Sequence, residues 1–148
     1  MRLPSTDRGA IDRLKNHFSK VQIAERDGDL DRDPYTSAAW DGDSFSTSVG
    51  TIDWVVDFGL PEIPKMVWLV ILIRDEDSEL VECTMRFKAV ATTTNWSIYA
   101  YADRSWNDQY HSTHAPVAVN DNGTTRWSIV ASGANTMDVI IRVVAWER

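Results

Sequence analysis

Four aspartates at alternating positions, Asp27, Asp29, Asp31 and Asp33, form the densest run of oxygen ligands in the sequence, and such runs bind calcium. An EF-hand loop begun at Asp27 would need glycine where Arg32 stands and a bidentate glutamate where Ala38 stands. Arg26 and Arg32 also dilute the negative charge, so the run is expected to be a solvated connector. His111 and His114 present two imidazoles three residues apart, without nearby residues that complete an obvious zinc set. Asp53 and Asp57 could pair as carboxylates on one strand face. There is no G-x-S-x-G elbow, no Cys–His pair with an orienting third group, and no glycine-rich phosphate loop. The expectation is a protein that is not an enzyme and holds no metal and no cofactor.

Aromatic side chains are the other candidates. Trp96, Tyr99, Tyr101, Trp106 and Tyr110 gather around a polar stretch with Asp103, Asn107 and Asp108. Rings beside polar groups can stack on a sugar while the polar groups bind its hydroxyls. Tyrosine and tryptophan are equally enriched at subunit interfaces, and that is the preferred reading.

The elements that must position these residues read as strands. Val81, Cys83, Met85, Phe87 and Ala89 alternate with Glu82, Thr84, Arg86 and Lys88, the pattern of a half-buried strand. Met137, Val139, Ile141, Val143 and Ala145 line one face of a last strand. Ile52, Trp54, Val56 and Phe58 alternate in the same way. Residues 66–73 are apolar on both faces, which predicts a central strand covered on both sides or one whose outer face meets another subunit. Asp75-Glu76-Asp77-Ser78, Asn120-Asp121-Asn122-Gly123 and Ser132-Gly133-Ala134-Asn135 are turn sequences, the second of them a hairpin signal. Seven to nine strands at this spacing predict an all-β antiparallel sandwich or jelly-roll-like domain over residues 40–148.

Residues 1–39 read as an anchoring arm. Ser5-Thr6-Asp7 offers helix caps, and Ile11, Leu14, Phe18 and Val21 recur at spacings of three, four and three, one stripe of a short α-helix. A stripe so narrow fits docking into a groove or a coiled-coil seam, and two turns of helix need a partner.

The net charge of −7 argues against a nucleic-acid partner, because phosphate binding draws on lysine and arginine. Residues 1–33 carry seven basic and seven acidic side chains, so all of the net charge falls on the β-domain. The single cysteine, Cys83, excludes an intrachain disulfide and is expected to be a buried thiol. No apolar signal segment and no run of about 20 apolar residues occurs, which predicts a soluble product of the cytoplasm without a membrane partner.

The stretches AAWDGDSFSTS, TIDWVVDFGLPEIPKMVWLVILIRD and NDNGTTRWSIVASGANTMDVIIRVVAWER together resemble a domain of bacteriophage and prophage virion proteins. The matching positions are residues 40–43, Phe58-Gly59-Leu60-Pro61, Arg74-Asp75, Ala131-Ser132-Gly133 and Thr136-Met137-Asp138-Val139, while residues 82–118 depart from the pattern. The resemblance implies a jelly-roll-like virion component, made in the host cytoplasm and trimeric. Two functions follow as expectations. One is a capsid decoration (cement) or head-fibre protein whose arm docks on the major capsid protein through Ile11, Leu14, Phe18 and Val21. The other is a tail-fibre or receptor-binding tip whose arm inserts into a tail protein and whose aromatic region recognises a host surface glycan.

Overall fold

A computed structural model describes residues 21–23, 34–76, 83–88, 97–102 and 109–148. Among these residues nine strands and one short helix follow in chain order: β1 (Val21–Ile23), β2 (Tyr35–Phe45), β3 (Ser48–Asp53), α1 (Trp54–Phe58), β4 (Met66–Asp75), β5 (Cys83–Lys88), β6 (Ser97–Ala102), β7 (His111–Ala118), β8 (Thr124–Val130) and β9 (Met137–Glu147). All described pairings are antiparallel. They make two sheets, β2-β9-β4-β7 and β3-β8-β5-β6, with β1 also paired to β9.

The pairs nest: β2 with β9, β3 with β8, β4 with β7 and β5 with β6. A long ribbon of two strands doubled at β5–β6 and wound over itself gives this order, with β4·β9 and β5·β8 closing the winding. This is the jelly-roll arrangement of an all-β sandwich. Among the described strands only β5 and β6 are both consecutive and paired, and β7 and β8 are not, so the turn at residues 120–123 is not a hairpin. It carries the chain from β7 in one sheet to β8 in the other. Its chemistry is nonetheless that of a tight turn: Asn120 Oδ1 accepts from the Asn122 and Thr124 amides, both at 2.9 Å.

The core is the two inner faces. Val67, Leu69, Ile71 and Ile73 of β4 meet Met137, Val139, Ile141 and Val143 of β9, opposite Cys83, Met85 and Phe87 of β5 and Ile129 of β8. The strand edges at β2 and β3 are closed by aromatic rings. Trp40 stacks on Phe45 with centroids 5.0 Å apart and meets Trp127 edge-on at 5.2 Å. Trp127 lies so close over Gly50, its partner in register, that a β-carbon there would stand 2.5 Å from its ring. Irregular register between Thr36 and Asp41 lets β2 turn Trp40 into the core.

Three further expectations change here. The alternation at 52–58 does not continue as a strand, because Asp53 caps a turn of helix: its Oδ1 accepts from Val55 and Val56 amides, both at 3.0 Å. Trp54 and Phe58, four apart, then share the buried face and Val56 is exposed. Gly59, at φ 72°, ends the helix in the left-handed conformation. Val21, the last member of the expected helical stripe, lies in β1 opposite Glu147. The sheet also begins before residue 40, since β2 starts at Tyr35 and β1 at Val21, within the stretch read as the arm.

Candidate functional site

Because β4 has no polar residue for eight positions, alternation puts apolar side chains on the outside of the sheet as well as the inside. Met66, Trp68, Val70 and Leu72 form this outer row and are half-buried. The register adds Pro116 and Ala118 from β7, and Ile140 and Ala145 from β9, on either side. Among the described residues no element packs over this face. Its rim is polar, Thr36 and Asp41 on β2, Glu147 at the end of β9, Ser112 and His114 on β7, and Arg142 stands within it beside Val70. A contiguous apolar patch ringed by polar groups is the usual form of a protein interaction surface.

One end of the face is closed by a polar cluster. Arg74 and Asp138 are direct cross-strand partners, and Asp138 is buried. The Arg74 Nε donates to Asp138 Oδ2 at 3.0 Å, with a second, shorter contact from its terminal nitrogen. Ser44 Oγ donates to the other carboxylate oxygen at 3.2 Å. Glu76 stands 3.6 Å from the same guanidinium. The guanidinium lies 5.2 Å from the centre of the Tyr110 ring, whose hydroxyl reaches Asp138 Oδ2 at 3.5 Å. The hydrogen bond that Arg74 donates to Asp138 holds its pKa above the ordinary value. This ion pair is internally satisfied, so its role is to fix the ends of β4 and β9.

Directly behind it, on the inner face, Asp75 is 1% exposed. Its carboxylate accepts from the Ser132 amide at 3.1 Å, the Ser132 hydroxyl and the Thr136 hydroxyl at 3.2 Å. Cys83 lies beside it, and burial first, then the hydrogen bond to Asp75, push the thiol up to about 12. The neutral thiol is thus favoured in the fold. Its contribution to stability is complete below the unfolded thiol's pKa, about 8.5, and is lost as pH rises through about 12. We expect iodoacetamide to leave the native protein unlabelled at pH 9 for hours and to label it within minutes in denaturant. Rapid native labelling would show the thiol to be accessible.

The residues singled out from sequence are distributed differently. His111 and His114 lie in β7, on opposite faces of the strand, so one chain cannot bring both imidazoles to one ion. Among the described residues no group of three or more His, Cys, Asp or Glu could hold a metal. Asp53 and Asp57 do meet, but as helix caps: Asp57 Oδ2 accepts from the Asp53 amide at 2.8 Å. The aspartates at 27, 29, 31 and 33, the stripe residues Ile11, Leu14 and Phe18, and Trp96 and Trp106 lie outside the described residues. Tyr99 and Tyr101 are placed on β6 by their backbone alone. Tyr110 is the member of the aromatic set with a described side chain, and it serves the Arg74–Asp138 pair while remaining 46% exposed. Asp75 and Asp138 were not legible as anchors, since acids at strand ends read as turn residues. No helix among the described residues is long and apolar enough to cross a membrane. No protein-family model matches the chain, and no curated protein matches it.

Proposed function

We propose that the chain is a structural protein of a bacteriophage particle, a capsid decoration (cement) or head-fibre subunit that assembles as a homotrimer through its β-domain. The N-terminal segment that precedes the sheet supplies its attachment to the major capsid protein. The observation that carries the assembly part of this reading is the apolar row Met66, Trp68, Val70 and Leu72, presented outward with a polar rim. A half-buried outward row of this kind, with polar groups around it, has the form of a surface that another subunit covers. The particle part rests on the resemblance of residues 40–148 to virion domains, with which the jelly-roll order agrees.

Imaging of wild-type particles and of particles lacking this chain tests the location. Loss of density from the capsid lattice is expected. Loss from the tail alone would replace the decoration role by the receptor-binding one, and a host glycan would then be the ligand to seek. Unchanged particles would remove the chain from the virion altogether.

A further inference from the structure

We infer that the outer face of the β2-β9-β4-β7 sheet, centred on Trp68 and Val70, is where copies of this chain meet one another. The inference rests on the assembly reading above and names the surface and its occupant.

Charge selects the occupant. Arg142 is exposed on this face directly beside Val70 in register, and among the described residues it makes no ion pair. The groups that complement it on an incoming surface are carboxylates, and the chain itself carries a net charge of −7. The face supplies both signs. Asp41 lies opposite Ile140, one residue pair along from Arg142, and Glu147 lies opposite Met66 at the far end of the row. A neighbouring copy can therefore set the Asp41 or Glu147 end of its own face on Arg142 while the apolar rows pack side by side, a contact that repeats around a closed ring. Elsewhere two such acidic chains repel, so a mixed-sign, largely apolar face is the place where they can approach.

Light scattering and sedimentation of the full-length chain test the inference, with Val70→Glu, Arg142→Glu and Leu14→Glu alongside the wild type. The wild type is expected to run as a multimer, three chains under the trimer reading. Val70→Glu and Arg142→Glu are each expected to weaken association by at least about tenfold, the scale of a charge left unpaired in a buried contact. Their far-ultraviolet circular dichroism should match the wild type, because both side chains point away from the core. Wild-type multimers unaltered by both face variants overturn the inference and leave the assembly reading standing, and dissociation by Leu14→Glu alone would move assembly to the N-terminal segment. A wild type that is monomeric up to about 100 μM, well above the micromolar range of an ordinary specific contact, overturns both. If Val70→Glu does not fold, the exposed Arg142→Glu decides.

Discussion

Trp54→Ala is expected to lower the free energy of unfolding by about 3–5 kcal/mol, among the largest effects of any single core substitution in this chain. Trp54 is fully buried at the start of α1, in the core cluster and against Phe58, with ring centroids 5.1 Å apart. Its indole N–H donates to Thr125 Oγ1 at 2.8 Å, and that hydroxyl donates to the Ala118 carbonyl at 3.1 Å. The Trp54 amide also donates to the Gly123 carbonyl at 3.1 Å, so one residue joins the helix, the 120–123 turn and the end of β7. Alanine would leave a cavity under the helix and remove the donor to Thr125. Trp54→Phe separates the two contributions: it keeps most of the buried area and should cost about 1 kcal/mol for the lost hydrogen bond plus a smaller packing term. Urea unfolding at one fixed protein concentration, with m compared between variants, measures both. A loss below about 1 kcal/mol for the alanine variant would show α1 to be a surface addition rather than the closure of the core.

How much of this was legible depended on whether the signal was local. The alternation in β5 and β9 reads directly, because one face of each strand is core and the other is not, and period two survives any choice of partner. The apolar row on β4 was legible as a choice between two coverings. At 52–58 the same alternation misled, since apolar residues at 54 and 58 satisfy both a period of two and a helical step of four. The signals that decide it are Asp53, Asp57 and Gly59, a cap at each end of a single turn. Partnership was not legible. Turn residues at 120–123 and 132–135 say where the chain reverses, whereas the sheet it enters next depends on which faces must be buried together. The candidate site divides in the same way. Its apolar centre is written in one strand, but the Arg74–Asp138 pair joins residues 64 apart in sequence and emerges only from the β4–β9 register.

That register also explains why Asp75, read in sequence as the start of a turn, is instead the last inward position of β4, with a consequence for stability. Asp75→Ala is expected to cost about 3 kcal/mol, because three donors lose a charged acceptor in a place water does not reach. The donors come from Ser132 and Thr136, the two ends of the loop between β8 and β9, so the carboxylate is what holds that loop against the end of β4. Asp75→Asn is close in size but brings an amide N–H₂ toward groups that are already donors, and it should recover less than half of the loss. Hydrogen exchange distinguishes a local role from a general one. The Ser132 amide, which donates to Asp75 at 3.1 Å, should lose protection in both variants by more than the global destabilisation accounts for. Cys83 gives an independent reading. Removing Asp75 removes the second cause of its raised pKa while burial remains, so the alkaline onset of alkylation should move down from the region of pH 12 yet stay above that of a free thiol. An onset unchanged by Asp75→Ala, together with a loss under about 1 kcal/mol, would mean that the loop is held by Ser46 and Asn135, whose amide donates to the Ser46 hydroxyl at 2.9 Å, rather than by the buried carboxylate.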